Sequence, residues 1–145
     1  MVDAITMEFS QTVEITVPFH DVDMMQIAWH GHYAKYFEIA RCQLLDSFGY
    51  NYRQMEESGY MWPIVDFRIK YIRPAKFEAT IQVTATLVEY ENRLKITYQI
   101  KDKQTGETLT KGHTVQMAVK LSNHETCFRS PAVLFEKLGV EVEDD

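Results

Sequence analysis

Apolar and polar residues alternate with a period of two in five segments of the chain, which predicts five β-strands. The segments cover residues 12–17, 64–73, 77–89, 93–101 and 108–121. The connections between the later segments are too short for crossovers, so we expect a mostly antiparallel sheet. Lys103–Glu107 reads as a hairpin turn, and a slip in the alternation near Gly112 suggests a β-bulge in the last strand.

A helical pattern separates the first strand from the others. It runs from about Gly31 to Phe48, and Gly49 stands where a left-handed C-terminal cap would end it. Its apolar residues cover more than half of the circumference, which is typical of a helix enclosed by other elements. Ser130 and Pro131 read as an N-cap and first helical residue of a short helix that ends at Leu138. These patterns together predict an α+β fold in one domain, residues 1–145: about five antiparallel strands wrapped around one long helix.

Composition limits the possible partners. The 145 residues carry a net charge of −6 and show no local basic patch, so we expect no binding to nucleic acid. No apolar run approaches the ~20 residues of a membrane span, and the first residues do not resemble a secretory leader. Cys42 and Cys127 form neither a metal-type spacing nor a disulfide framework. We therefore expect a cytoplasmic protein that does not bind membranes and has reduced thiols.

The chemistry-bearing residues concentrate in FHDVDMMQIAWHGHYAKYFEIAR, residues 19–41. This stretch places Asp21, Asp23, His30 and His32 just ahead of the helix and at its start. Asp-x-Asp and His-x-His can both supply ligands to a hydrolytic metal centre. Of the other histidines, His113 and His124 lie singly on distant segments, however, and such centres need three or more converging ligands. We therefore expect no metal site, and a polar turn ahead of a helix stays open as the simplest alternative.

The same stretch resembles the signature of the 4-hydroxybenzoyl-CoA thioesterase family of hotdog-fold acyl-CoA thioesterases. The residues that fit it are Asp21, Asp23, Ile27, Ala28, Trp29, His30, Tyr33, Phe37, Glu38 and Arg41. RIKYIRPAKF, residues 68–77, resembles the next strand of the family, and the likeness extends over about residues 11–121. The segment Met24-Met25-Gln26 departs from the small, glycine-containing turn of many members. The resemblance implies the hotdog fold and hydrolysis of a thioester of coenzyme A or acyl-carrier protein.

The resemblance also implies roles for individual residues. Asp23 is the expected carboxylate that attacks the thioester carbonyl or activates a water. The helix start at His30 and Gly31 offers backbone N–H groups to the oxyanion. His30 and Tyr33 are expected to hold the carboxylate or the region of the substrate sulfur, whereas Asp21 reads as a turn former. Because a thiol with a pKa of ~8.5 leaves readily as thiolate, a strong general acid is dispensable. No cofactor is implied.

Basic and apolar residues outside the motif are the candidates for substrate contacts. Candidate ligands for the phosphates of coenzyme A are basic residues with outward strand positions or adjoining turns: Arg68, Lys70, Arg73 and Arg93. Candidate acyl-pocket residues are large and apolar: Met24, Met25, Trp62 and Phe67. Solvated strand faces and ordinary core packing are the simpler alternatives for these two sets. The residues do not specify the length or aromaticity of the acyl group.

A non-catalytic acyl-CoA-binding or sensor module of the same fold is the alternative function, although a pure binder has no need for Asp23 beside the thioester. The resemblance also implies assembly, because members of the family typically pair sheet edges and build the site across the subunit boundary. We therefore predict a homodimer at least, and a homotetramer as the full assembly.

Overall fold

The structure is a computed structural model that describes residues 9–18, 21 and 31–141. Seven strands occur in these residues: β1 Ser10–Thr16, β2 Tyr60–Met61, β3 Ile64–Tyr71, β4 Thr80–Glu89, β5 Leu94–Asp102, β6 Thr108–Gln116 and β7 Val119–Lys120. Five of them form one antiparallel sheet in the order β1-β4-β5-β6-β3, while β2 and β7 form a small second sheet. The predicted five-stranded antiparallel sheet is confirmed.

Three helices accompany the strands in the described part of the chain: α1 Gly31–Ser47, α2 Tyr52–Glu57 and α3 Ala132–Leu138. Helix α1 ends as predicted, since Gly49 adopts a left-handed φ of 74°. One side of α1 packs on the sheet and is buried; its residues are Tyr33, Tyr36, Phe37, Ala40, Leu44 and Leu45. The sheet does not enclose the helix in the single chain, because Ile39 on the opposite side is 43% exposed. The apolar pattern overestimated how far the sheet wraps around α1.

Gly112 lies in a regular part of β6, so the predicted bulge at this position is wrong. It pairs in register with Ile69 on β3 and Tyr98 on β5. The slip in alternation arises because the face of β6 toward α1 carries Gly112 and polar residues rather than large apolar ones. A Cβ at this position would lie 2.7 Å from the ring of Phe37 and would also clash with the backbone carbonyl of Arg68. The glycine therefore lets α1 approach the sheet closely.

A buried polar network crosses the interface between α1 and the sheet. The guanidinium of Arg41 donates to the hydroxyls of Tyr52 and Tyr98, at 2.7 and 3.2 Å, and the Tyr98 hydroxyl lies 2.7 Å from that of Thr114. Burial by itself lowers the pKa of Arg41, but interactions with Tyr98 and Tyr52 outweigh it and raise the pKa above its ordinary value. The arginine that closes the motif thus fastens the helix to β5 and β6.

The C-terminal part of the fold, from β6 to α3, differs from the prediction at two points. Helix α3 has Pro131 at its N-cap and no side-chain cap, and the hydroxyl of Ser130 is buried without a hydrogen-bond partner. Ser130 therefore does not cap the helix, although the helix ends at Leu138 as predicted. The last predicted strand is divided into β6 and β7, since Met117 instead donates its N–H to the carbonyl of Pro63. Among the described residues, no helix is long and apolar enough to cross a membrane.

Candidate active site

Asp21 is a buried carboxylate at the start of α1. Both of its oxygens lie 2.7 Å from Nζ of Lys35, and Oδ2 also accepts a hydrogen bond of 2.8 Å from the hydroxyl of Tyr36. His32 Nδ1 lies 3.4 Å from Oδ1. The side chain is fully buried, whereas Lys35 is partly exposed and forms the outer wall of the cluster. We call Asp21, His32, Lys35 and Tyr36 the Asp21 cluster.

The charge of Asp21 follows from these contacts. Burial by itself raises the pKa of the carboxyl, but the hydrogen bonds from Lys35 and Tyr36 outweigh it, so the pKa lies below its ordinary value. The pKa of Tyr36 is raised by burial and by the neighbouring carboxylate, which keeps its hydroxyl protonated as a donor. Asp21 is therefore an anion at neutral pH whose oxygens are occupied. The sequence-based interpretation of a turn former missed this ion pair.

Tyr33 is buried in the first turn of α1, about one helical turn before Phe37. Its hydroxyl accepts a hydrogen bond of 2.9 Å from the backbone N–H of Ala75, and its ring packs 5.2 Å from that of Tyr71. Burial raises its pKa, so the hydroxyl stays protonated at neutral pH. Tyr33 thus ties the beginning of α1 to the segment after β3. This contact places Tyr33 at the same end of the sheet as the Asp21 cluster.

The predicted catalytic Asp23 and His30 lie outside the described residues, as do Met24 and Met25. The described chain resumes at Gly31, and α1 runs from this residue to Ser47. The first-turn N–H groups of a helix lack intrahelical partners and favour a developing negative charge. No group of three or more histidine, cysteine or acidic side chains converges within residues 9–18, 21 and 31–141.

A cavity of ≈ 550 Å³ opens at this end of the sheet. Its lining has mixed charge, with Arg73 and Lys76 against three acidic residues, Glu78, Asp102 and Glu107. Arg73 lies 3.7 Å from Glu107, and its backbone N–H donates to the carbonyl of Leu109. The acidic lining weakens the attraction of the cavity as a whole for phosphates. Of the predicted phosphate ligands, Arg73 lies at the end of the sheet where α1 begins.

Arg68 and Lys70 lie together on β3 and face away from α1. Phe67, between them and the bulge of β3, points toward α1, where its ring lies 6.1 Å from that of Phe37. Lys70 pairs directly with Lys111 on β6. Like charges opposite each other destabilise a sheet modestly, so this part of the outer face favours an anionic contact. Nε of Arg68 lies 3.8 Å from a carboxylate oxygen of Asp66.

Arg93 and Trp62 occupy the opposite end of the fold. Arg93 pairs with Glu89 at 3.0 Å and precedes the start of β5, whereas Arg73 follows the end of β3. Eight residues of strand separate those two ends by roughly 25 Å. Trp62 packs edge-on against Tyr50, just after the end of α1. The structure therefore brings Arg68 and Lys70 together, places Arg73 near the Asp21 cluster, and leaves Arg93 and Trp62 apart from these residues.

A five-stranded antiparallel sheet with a long helix packed on one face is the architecture of the hotdog fold. The chain matches the thioesterase-like superfamily over residues 17–138 and belongs to that family. The matched region includes the motif, strands β3 to β6 of the main sheet and α3, whereas β1 precedes it. The family inferred from the motif is confirmed.

Named relatives agree with this membership. A Bacillus subtilis protein named "Putative acyl-CoA thioesterase YneP" is 34% identical over 85 residues, which cover 59% of this chain and 61% of the relative. The match thus spans about three fifths of that protein. A DHNA-CoA thioesterase from Staphylococcus aureus is 26% identical, with a TM-score of 0.73 over 82% of this chain and 80% of that one. A 4-hydroxybenzoyl-CoA thioesterase in complex with 4-hydroxybenzoyl-CoA superposes with a TM-score of 0.77 over 90% and 99% of the two chains; at 16% identity it supports the fold alone.

Proposed function

We propose that this chain hydrolyses an acyl thioester of coenzyme A, or of acyl-carrier protein, to the free acid and the thiol. The observation that carries the proposal is the family match over residues 17–138, which contains the whole motif. The Asp21 cluster supports the proposal. A polar turn would leave its carboxylate in solvent, whereas the Asp21 carboxylate is buried and bonded to Lys35 and Tyr36 at the start of α1. In this proposal residues 1–145 act as one domain, and the reaction takes place in the cytoplasm.

Asp23 performs the central step. As a nucleophile, its carboxylate attacks the thioester carbon, the C–S bond breaks, and the thiolate leaves and takes up a proton from solvent. Water then cleaves the resulting anhydride and regenerates the carboxylate. As a general base, Asp23 instead removes a proton from the water that attacks the same carbon. Both routes pass through an oxyanion, which the N–H groups at the beginning of α1 stabilise.

His30 and Tyr33 are assigned to the positioning of this reaction. His30 precedes α1 by one residue, so its backbone or imidazole can reach the end of the helix where the oxyanion forms. The Tyr33 hydroxyl is held by the N–H of Ala75, which makes it a fixed polar group beside the helix start. Neither residue has to act as a strong acid, because the thiolate is a good leaving group.

The phosphates of coenzyme A are assigned to basic residues of the β3 side. Arg68 and Lys70 offer adjacent outward positions beside Lys111, and Arg73 lies at the end of the sheet where α1 begins. Arg93 was predicted with them; in the single chain it lies at the far end and pairs with Glu89. It can join the phosphate site only if a second subunit brings it close to β3.

Hydrolysis can be separated from simple binding by one experiment. A panel of short, medium, long and aromatic acyl-CoAs should release free thiol, with one substrate class clearly preferred, and a chelator should leave the rate unchanged. Tight binding without turnover of any member would favour the sensor module instead. Loss of activity in the chelator would point to the metal alternative. An acyl-carrier-protein substrate in the same panel distinguishes the two thiol carriers.

Assembly is a further part of the proposal. In the described sheet β3 is an edge strand, and several large apolar residues along it and just after it are exposed: Ile64, Val65, Phe67, Tyr71 and Ile72. A long apolar edge strand invites pairing with another chain. We assign this edge to a second copy in a homodimer, and two such dimers would form the tetramer.

Placing a charge on this edge should break the dimer. Val65 is 56% exposed on β3, and Val65→Lys is expected to give a monomer at micromolar protein concentration with much reduced activity. Light scattering coupled to size exclusion measures the change. Val88→Lys is the matched control, because Val88 is exposed on β4 rather than on the β3 edge and should remain dimeric. A wild-type monomer with full activity would contradict the assembly.

A further inference from the structure

We propose that Asp21 is a positioning residue for Asp23, which follows it by two residues in the sequence: contacts with Lys35 and Tyr36 fix Asp21 against the first two turns of α1. This inference rests on the proposed thioesterase function. It assigns to the first aspartate of the motif a role distinct from that of the second. The side chains that perform it, Lys35 and Tyr36, were not identified from the sequence.

Asp21 is held from both directions along the chain. Its backbone N–H donates to the carbonyl of Pro18 at 3.0 Å. Just before that residue, the N–H of Val17 donates to Ala79 and the carbonyl of Val17 accepts from Glu78, which fastens the chain to the start of β4. The carboxylate is then fixed to α1 by Lys35 and Tyr36. Asp21 is therefore a fixed point between the sheet and the helix.

Asp21 is only two residues from the proposed catalytic Asp23, so its fixed position matters for catalysis. Two residues of extended chain span at most about 7 Å, so the Cα of Asp23 lies within that distance of the Cα of Asp21. A displacement of about 1 Å in a reacting group can cost about 10²-fold in rate. Release of Asp21 from α1 would allow displacements of this size in the neighbouring backbone.

The contacts also distinguish positioning from two other roles. A turn former would direct its side chain to nearby backbone N–H groups. Asp21 instead bonds side chains 14 and 15 residues further along the chain. A catalytic base needs an accessible oxygen for its substrate, whereas both oxygens of Asp21 are buried against Lys35, with Tyr36 donating to one of them. Positioning through the helix is the role that this geometry supports.

The test uses the full chain and kinetics with the preferred substrate of the panel. Asp21→Asn should lower kcat about 10- to 30-fold while KM changes less than about threefold, since the substrate contacts remain. Lys35→Met should lower kcat at least as much, because it leaves a buried carboxylate without its cation. The double variant should be no worse than Lys35→Met alone, since two groups that act through one contact are not additive.

Glu14→Gln is the matched control. Glu14 carries an exposed carboxylate that pairs with Lys103 on the outer face of the sheet. Removal of this surface charge should leave kcat within twofold of wild type. Tyr36→Phe, which removes only a hydroxyl, provides a milder variant if Asp21→Asn does not fold; it should lower kcat with KM retained.

The outcomes separate this inference from the proposed function. If Asp23→Asn is inactive while Asp21→Asn, Lys35→Met and Tyr36→Phe all keep kcat within twofold, the positioning role is wrong and the thioesterase mechanism stands. If the fold-losses in kcat of Asp21→Asn and Lys35→Met multiply in the double variant, the two residues do not act on kcat through their shared contact, and the positioning role is wrong. If Asp23→Asn stays active, the proposed mechanism itself fails, whatever the Asp21 variants show.

Discussion

Asp23→Asn should lower kcat about 10³-fold or more, which corresponds to about 4 kcal/mol in the activation barrier. The amide keeps the shape and much of the hydrogen-bonding capacity of the carboxylate but can neither attack the carbonyl nor take a proton from water. Substrate binding should therefore survive where turnover does not. Steady-state kinetics, together with a direct measurement of acyl-CoA binding by calorimetry, checks both halves of the expectation.

Asp21→Asn is not a neutral control for Asp23→Asn. Asp21→Asn changes the same loop by the same chemistry, but Asp21 is buried in an ion pair, so that variant has a cost of its own. Glu14→Gln, an exposed carboxylate changed to its amide, is the neutral comparison. A folded Asp23→Asn protein of unchanged oligomeric state that keeps its rate within about tenfold of wild type would overturn the mechanism.

Gly112→Ala should destabilise the protein by about 3 kcal/mol, at the upper end of the usual cost of overpacking a core. The added Cβ meets the ring of Phe37 and the backbone carbonyl of Arg68. A ring can turn aside, but the carbonyl belongs to β3 and cannot move without disturbing its pairing with β6. Thermal unfolding should show a midpoint lower by on the order of 10 °C.

A neighbouring residue on the same strand serves as the comparison. Lys111 precedes Gly112 on β6 and is exposed, so Lys111→Ala should shift the free energy of unfolding by no more than about 0.5 kcal/mol. Equal stability of the Gly112→Ala and Lys111→Ala proteins would show that β3 and α1 can yield at little cost. A large loss confined to Gly112→Ala would show that the close approach of α1 is fixed.

Local patterns were sufficient for much of the fold. The alternation of residues 12–17 and the positive φ of Gly49 are both dictated by neighbours in sequence, and both were predicted correctly. Helix α2 was missed even though Asn51 and Gln54 form a complete capping box, which is a recognisable signal in the sequence. Its six residues are too few for an apolar period to stand out.

The remaining features depend on contacts between distant segments. The partners of Asp21 lie on α1, and which face of α1 meets the residues before it is decided by packing rather than by any local pattern. The polar inner face of β6 is stable because Thr114 joins the buried network of Arg41 and Tyr98. Thr114 is 16 residues and Arg41 is 57 residues from Tyr98 along the chain, so no local pattern signals this network. Sequence alone could identify the motif, but not the side chains that hold it in place.

The strand order has a consequence for how the protein folds. The strands β4, β5 and β6 follow one another in sequence and pair with their neighbours, whereas β1 must find β4 across 64 to 76 residues. Because closing such long loops costs entropy before any contact forms, we expect the β4–β5–β6 meander to form early and β1 to dock late. Asp21 follows β1 after a short connection, so its ion pair with Lys35 would be among the last contacts made. The nascent chain would then have most of its sheet before it acquires a competent site.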